Sequence, residues 1–380
     1  MTQTDRKPIA ASRRIMIVAA DAGRLLDRRG TMIRDLTSAR HRVTVVAAAM
    51  TAADRAQCAA MSLTARDFAM PGGGLRALAD KPGVDALAAA ISEHAPNVIV
   101  GFGVKPMLLA ARAARRAPGV HVLAVASALD PLLTRPGLPT RWMMRRALKS
   151  VAAVVVYNQA DARRLNDLDV LPGSVSLHIL PGAGVDLRRF TAAPLPSLET
   201  GFVFAMAAPA DPGKGIVDFC EAARRVKSKA PSARFRLALL PAQEETPLAM
   251  SMIDPFRDCV EIEVATTDIR SFLEACHVFV YPSVGEGLAH RVVEALATGR
   301  PAITTTAPGC AETVDERVSG VLVPPGDTVA LATAMESFLR RPDLMAWMSK
   351  ASRQKAERLF DAREASAGLI RLMKLDGVPH

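Results

Sequence analysis

Tyr281-Pro-Ser-Val-Gly-Glu286-Gly-Leu-Ala-His-Arg-Val-Val-Glu294-Ala-Leu-Ala-Thr-Gly-Arg-Pro301 reads as the end of a strand, a glycine turn and a helix. The apolar run Val278-Phe-Val-Tyr281 is short enough for a buried strand. Gly285 and Gly287 allow a tight turn and a close backbone approach to a ligand. Leu288 to Ala297 has helical apolar spacing, and Gly299-Arg-Pro301 stops it. Glu286 is thereby placed in the loop before a helix, and Glu294 about two turns into it. Between them lie the N–H groups of a helix N-terminus, which attract phosphate. A Glu in the first turn of a helix is common, because it complements the dipole, and two such residues alone are ordinary surface charges. Here Glu286 also follows a Pro-Ser turn at the end of a buried strand, where ligands gather in open α/β sheets. A ligand with hydroxyls at both ends and a diphosphate between them fits this pattern, and a nucleotide sugar has that layout.

Outward from this segment the same rhythm repeats. Arg14 to Ala20, Val43 to Ala49, Asn97 to Gly101, His121 to Ala126 and Ala152 to Tyr157 read as strands. Thr31 to Ala39, Val84 to His94, Met107 to Arg116 and Arg141 to Lys149 read as helices between them. Thr191-Ala-Ala-Pro-Leu-Pro-Ser197 is a Pro-rich linker. Strands at Phe202 to Met206, Phe235 to Leu240, Val260 to Val264 and Ala302 to Thr305 follow, with a helix from Ile216 to Lys229. Alternating strand and helix means parallel sheets covered by helices on both faces. Residues 1–12 are polar and read as disordered. A chain of 380 residues suits two domains, and an apolar content of 50% supplies both cores.

Charge is uneven. Residues 1–190 hold 27 Lys+Arg against 14 Asp+Glu, leaving 21 against 24 in the rest. The first half therefore carries the whole basic excess and is expected to face something anionic: a membrane surface, a phosphate-bearing acceptor or nucleic acid. An aromatic content of 4% argues against stacking platforms for single-stranded nucleic acid. Cys58, Cys220, Cys259, Cys276 and Cys310 show no metal-ligand spacing and fit buried thiols in a reducing cytoplasm. Ile15 to Ala20 is too short for an export signal, and no apolar run approaches a membrane span. The expectation is a cytoplasmic protein, with peripheral contact at the inner face of the cell membrane.

The segment from Tyr281 to Asp327 resembles the signature of family 4 glycosyltransferases, retaining enzymes of GT-B architecture. It carries Pro282-Ser283, Glu286-Gly287-Leu288, Glu294-Ala295, Gly299-Arg300-Pro301, Pro308-Gly309, Glu312, Val314 and Gly320-Val-Leu-Val-Pro-Pro-Gly-Asp327. The resemblance implies two doubly wound Rossmann-like α/β domains facing a cleft. It implies an acceptor-binding domain over 1–190, a linker over 191–199 and a donor-binding domain over 200–361. It implies too that a C-terminal helix, 362–380, crosses back onto the first domain. It also implies that Glu286 contacts the donor sugar, Glu294 the ribose hydroxyls, and the backbone of Gly285, Gly287 and Leu288 the phosphates.

Asp211-Pro-Gly-Lys214-Gly215 follows the first strand of the second half, and Lys214 matches a family lysine that clamps the donor diphosphate. The clamp arginine expected a few residues earlier is absent, its place falling at Pro209 or a neighbour. A lone Lys-Gly would otherwise be a solvated turn. In the first half the usual paired glycines are replaced by Asp21-Ala-Gly23, with Gly30 as a second backbone approach. The His that many relatives carry near Ala126-Ser-Ala-Leu-Asp130 is missing, and His121 reads as structural. Gly101-Phe-Gly-Val-Lys105-Pro106, Ala147-Leu-Lys, Val156-Tyr-Asn-Gln-Ala-Asp161 and Leu180-Pro-Gly-Ala-Gly184-Val-Asp186 are similar to segments of bacterial transferases that extend sugars on undecaprenyl diphosphate. Lys105, at a strand's carboxyl end, would meet acceptor phosphate or be an ordinary loop lysine.

Arg135 to Val151 suggests a basic amphipathic helix, with Arg141, Arg145, Arg146 and Lys149 on one side, Met143, Ala147 and Val151 joined by Met144 and Leu148 on another, and Trp142 as an anchor. Such a helix rests on anionic lipid or packs its stripe on the sheet with its arginines in solvent. The expected activity is transfer of a sugar from a UDP-N-acetylhexosamine or UDP-hexose to a lipid-linked or polysaccharide-precursor acceptor, without metal or cofactor, a loop near Ala265 to Ile269 meeting the base. The alternatives are a non-catalytic nucleotide-sugar-binding scaffold and a GT-B nucleotide-sugar epimerase.

Overall fold

The computed structural model describes residues 12–70, 80–126, 137–241, 250–265 and 268–375. The disorder expected of residues 1–12 falls, Ser12 apart, outside them. The chain divides into two units, Met1–Leu180 with Arg363–His380, and Pro181–Ala362.

The first unit runs β1 (Arg14–Ala19), α1 (Ala22–Ser38), β2 (Arg42–Ala47), α2 (Ala52–Ala60), β3 (Thr64–Asp67), α3 (Lys81–His94) and β4 (Val98–Phe102). It continues with α4 (Val104–Ala114), β5 (His121–Val125), α5 (Leu138–Leu148), β6 (Ala153–Val156), α6 (Gln159–Asp167) and β7 (Ser176–Ile179). The strands pair in parallel in the order β3-β2-β1-β4-β5-β6-β7. Helices cover both faces, so β1, β4 and β6 are near-continuous apolar runs, buried throughout their centres.

Helix α1 begins much earlier than Thr31. Asp21 caps it, accepting from the Arg24 N–H at 2.8 Å, and the stripe Leu25, Leu26, Met32, Ile33 and Leu36 is buried. Two glycines and a run of charges conceal that start in the sequence. Gly30, expected as a second backbone approach to phosphate, instead lies inside α1, where amides are engaged in the helix ladder. Gly23 stays in the first turn of α1. The alanine-rich helix α2 starts in a capping box of Thr51 with Asp54 and was not evident from apolar spacing.

The second unit runs β8 (Val203–Pro209), α7 (Ile216–Lys229), β9 (Arg234–Leu240), β10 (Glu261–Val264), α8 (Arg270–Glu274), β11 (Val278–Tyr281) and α9 (His290–Ala297). Then come β12 (Ala302–Thr305), β13 (Gly320–Val323), α10 (Thr328–Arg340) and α11 (Met345–Leu359). Its sheet is also parallel, in the order β10-β9-β8-β11-β12-β13. The Pro-rich stretch after Phe190 is fastened to this unit. Arg300, fully buried, donates to the carbonyls of Ala193, Pro194, Leu273 and Glu274 at 2.8–3.0 Å. His277 bonds the Pro196 carbonyl through Nε2 at 3.1 Å. A final helix, α12 (Ala362–Leu372), is grouped from Arg363 onward with the first unit. There the Leu372 carbonyl lies 2.9 Å from His121 Nε2, a structural role for that histidine.

Candidate functional site

In the second sheet the strand order changes direction between β8 and β11, so the loops leaving their carboxyl ends flank a crevice. The loop after β8 carries Lys214 and the loop after β11 carries Glu286. Their side chains meet: Lys214 Nζ donates to Glu286 Oε1 at 2.8 Å, with both side chains more than four-fifths buried. The same carboxylate oxygen accepts from the Tyr281 hydroxyl at 2.9 Å and from Ser283 Oγ at 3.2 Å. Burial, and then the charge of Glu286, raise the Tyr281 phenol well above its ordinary pKa, so it remains a proton donor. Thr304 Oγ1 and Thr305 Oγ1, from β12, donate to the carbonyls of Tyr281 and Ser283 at 2.7 and 2.6 Å. Glu286 is thus held by Tyr281, Ser283 and Lys214, and the backbone of Tyr281 and Ser283 is in turn held by β12.

The turn is wedged between two neighbours that must be glycine. Gly215 has φ +75°, and a Cβ there would lie 2.2 Å from the Pro282 carbonyl oxygen. Gly309 has the same φ, and its Cβ would lie 2.1 Å from the Glu286 carbonyl oxygen. Across that contact the Glu286 N–H donates to the Pro308 carbonyl and the Ala289 N–H to the Gly309 carbonyl. Glu312 accepts from the Gly309 N–H at 2.8 Å, which gives the Pro-Gly-x-x-Glu pattern a structural reason.

Helix α9 starts directly after this turn, and no side chain caps it. Gly285, Gly287 and Leu288 stand just before its first residue. Glu294 lies in its second turn, buried to 3% exposure. Its Oε2 accepts from Arg291 Nη1 at 2.7 Å, and its Oε1 is 3.3 Å from His290 Nε2. Burial pushes the Glu294 carboxyl up, but the charges and hydrogen bonds of Arg291 and His290 outweigh it and hold the pKa at about 2. The carboxylate is therefore ionised, fixed and rich in remaining lone pairs. Tyr281, Ser283, His290 and Arg291 escaped the sequence reading. The i,i+3 and i,i+4 spacing of Arg291 and His290 to Glu294 was the available signal.

Pro209 ends β8, paired with Leu240 of β9, so a strand residue occupies the expected place of the clamp arginine. In the loop expected to meet a base, residues 266 and 267 lie outside the described ones. Ile269 turns into the core, and Asp268 pairs with Arg270 at 2.6 Å. All five cysteines are free, and burial, then Glu286, push Cys310 beside the site up to about 12.

In the first unit Lys105 lies in the first turn of α4, its Nζ 3.5 Å from the Met70 carbonyl oxygen. Helix α5 carries the basic cluster; Arg135 and its neighbour before Gly137 fall outside the described residues. Leu138 and Trp142 are 79% and 62% exposed on α5, while Met144, Ala147 and Leu148 are buried. One apolar stripe of α5 is therefore packed inward, as one of the two expectations had it, while Leu138 and Trp142 face solvent. Arg145 is paired with Asp169 at 2.6 Å, and Arg146 stacks on Trp142 at 5.6 Å. Among the described residues no helix is long and apolar enough to cross a membrane.

A family model described as glycosyl transferases group 1 matches residues 199–341. Over 200 residues, 50% of this chain and 49% of the relative, the chain is 28% identical to WcaL of Escherichia coli strain K12, a protein assigned to colanic acid biosynthesis as a glycosyltransferase. It is 22% identical over 56% of its length to the N,N'-diacetylbacillosaminyl-diphospho-undecaprenol alpha-1,3-N-acetylgalactosaminyltransferase of Campylobacter jejuni, covering 58% of that protein. The chain thus spans about half the length of the curated relatives it matches. In fold it is similar to the crystal structure of Anabaena Alr3699/HepE in complex with UDP, with a TM-score of 0.76, 17% identity, and coverage of 95% of this chain and 99% of that one. Two parallel Rossmann-like sheets and these likenesses together show a GT-B fold, in which residues 199–341 match the glycosyl transferases group 1 model.

Proposed function

We propose that the protein is a retaining glycosyltransferase that moves a sugar from a nucleoside-diphosphate sugar, a UDP-N-acetylhexosamine or UDP-hexose, to a lipid-linked or polysaccharide-precursor acceptor. The observation that carries this reading is the meeting of Lys214 and Glu286 at the switch point of the second sheet, one turn ahead of the uncapped α9 and its buried Glu294. In this reading Glu286 orients the donor sugar and Glu294 accepts from the ribose hydroxyls. The amides before α9, with Lys214, stabilise negative charge as it grows on the leaving diphosphate. The bond from the anomeric carbon to the diphosphate oxygen breaks. The acceptor oxygen bonds the same carbon on the same face, and its proton passes to the departing phosphate. No metal or cofactor is invoked. The first unit takes the acceptor, with Lys105 and the α1 turn at Gly23 as candidate phosphate contacts. Relatives named for colanic acid biosynthesis and for a diphospho-undecaprenol acceptor support this acceptor class.

Calorimetric titration with UDP, GDP and ADP tests the donor assignment. UDP is expected to bind, and Glu294→Ala to weaken it by about tenfold, as expected when a charged hydrogen-bond partner is lost. Absence of nucleotide binding by the wild type, or unchanged binding by Glu294→Ala, overturns it. One observation favours a second reading, a binding scaffold without turnover: Pro209 stands in β8 where a clamp arginine is expected. Mass-spectrometric detection of a new glycosidic product from donor and a lipid-diphosphate acceptor separates the two, and an isomerised sugar nucleotide would indicate an epimerase.

A further inference from the structure

Three side chains donate to one oxygen of Glu286, and they are not equally committed to it. Lys214 Nζ lies 2.8 Å from Glu286 Oε1, the Tyr281 hydroxyl 2.9 Å and Ser283 Oγ 3.2 Å. A serine hydroxyl has one proton to give. Ser283 faces three acceptors with it: the Gly213 carbonyl at 3.1 Å, Glu286 at 3.2 Å and the Gly285 carbonyl at 3.3 Å. Lys214 is a point charge on a flexible four-carbon stem. A nucleoside diphosphate brings two or more negative charges to this crevice, and they compete with a single carboxylate for the ammonium. Tyr281 differs on both counts. Among the described residues its hydroxyl donates to Glu286 alone. The residue is 4% exposed, its ring beside that of Phe279 with centroids 6.3 Å apart. Its backbone ends β11, and its carbonyl accepts from Thr304 Oγ1 at 2.7 Å.

We propose that Tyr281 is a positioning residue of the donor site, whose hydroxyl keeps the Glu286 carboxylate aimed at the donor sugar while the diphosphate draws Lys214 towards itself. The proposal rests on the donor reading of this site and adds a residue to it. The need for such a residue follows from burial. The side chains of Lys214 and Glu286 are 18% and 17% exposed, so little water stands by to replace a departing partner. A buried charged acceptor is costly to leave short of donors. A bond from a neutral hydroxyl to an ionised oxygen is about twice as strong as one between neutral groups. A carboxylate that loses such a bond turns to find another donor, and a sugar hydroxyl bound to it is carried along. Tyr281 itself does not touch the donor. It acts through Glu286, so its loss reaches the reacting sugar and spares the nucleotide, which Glu294 and the α9 amides hold.

The test separates those two parts on the full chain. UDP release from UDP-glucose and from UDP-N-acetylglucosamine, with water taking the sugar, gives kcat and KM. Calorimetry with UDP alone gives the nucleotide's affinity, and thermal melting checks folding. The variants are Tyr281→Phe, which keeps the ring and removes the hydroxyl, and Ser283→Ala, which removes the shared donor to the same oxygen. Tyr281→Phe is expected to lower kcat about tenfold on whichever donor the wild type consumes, with UDP affinity within twofold. Ser283→Ala is expected to stay within threefold of the wild-type kcat. An unchanged kcat in Tyr281→Phe overturns the proposal. So does a fall of kcat and UDP affinity together, which would mean that the hydroxyl supports the turn as a whole. A tenfold loss of kcat in Ser283→Ala overturns it too, and this arm decides if Tyr281→Phe melts early. A wild type that consumes neither sugar nucleotide strikes the donor reading instead, so the two failures are told apart.

Discussion

Glu294 shows how one buried carboxylate sets a measurable property. Its folded pKa of about 2 lies below its ordinary value of 4.5. A group with a depressed folded pKa adds stability that is fully present above the unfolded pKa and is lost as pH falls through the folded one. The contribution of Glu294 is therefore intact above about pH 5 and disappears between about pH 4.5 and 2. Glu294→Gln removes the titrating group and keeps the shape. Acid unfolding followed by circular dichroism should show the variant less stable than wild type at pH 7, with the gap narrowing steadily below pH 4.5. A gap that stays constant down to pH 2 would rule out a carboxylate stabilised by Arg291 and His290. At this scale the sequence revealed the two glutamates and Lys214, because turn glycines and a strand end announce a loop where ligands gather. It did not reveal what holds them. Tyr281 reads as the last apolar residue of a strand, and only the fold shows its hydroxyl reaching Glu286. Arg300 sits in a helix-stop motif, yet its guanidinium ties down a segment more than a hundred residues away in sequence.

The elements of the site are fixed by backbone contacts. The glycine at 309 lets the turn after β12 press against the turn after β11. Gly326 supplies a matched control, because its φ of +76° equals that of Gly309 within a degree while a Cβ there would meet nothing within 4 Å. Gly326→Ala should therefore cost only the left-handed strain, roughly 1–2 kcal/mol. Gly309→Ala adds a Cβ 2.1 Å from the Glu286 carbonyl oxygen and should cost at least about 3 kcal/mol, with loss of UDP binding as Glu286 shifts. Urea titrations of both variants check this, and equal midpoint shifts would show that the two turns do not lock each other. Strands and the helices with clean apolar stripes were legible, because parallel strands buried on both faces are short apolar runs. Helices α2 and α6 were not, since alanine and charge blur their stripes, and the short, largely exposed strands β3 and β7 offer little apolar signal. The real start of α1 was hidden for a related reason: Gly23 and Gly30 look like turn residues, while Asp21, ahead of them, is the cap.

Over the whole chain, the two units differ in charge more than in fold. The basic excess of residues 1–190 coincides with a helix, α5, that turns Leu138 and Trp142 to solvent one turn apart. Around them stand Arg141, Arg146 and Lys149, while Arg145 is paired with Asp169 and adds least. Exposed large apolar side chains ringed by basic ones suit an anionic lipid surface, where each nearby Lys or Arg adds about 1 kcal/mol. The Trp142 ring, stacked against the Arg146 guanidinium, has an apolar body and a polar edge suited to the headgroup layer. Binding should combine the two terms. Co-sedimentation should retain the wild type on vesicles containing phosphatidylglycerol and much less on phosphatidylcholine alone. High salt should release it, because screening shortens the reach of the charges. Trp142→Ala with Leu138→Ala should weaken retention by about tenfold at low salt, since two large side chains lose their apolar burial. Reversal of Arg141 and Arg146 to Glu should remove the preference for anionic lipid altogether. Equal retention on neutral vesicles, or anionic binding untouched by either pair of substitutions, would show that α5 is an ordinary surface helix and that the basic excess of the first unit answers to another partner.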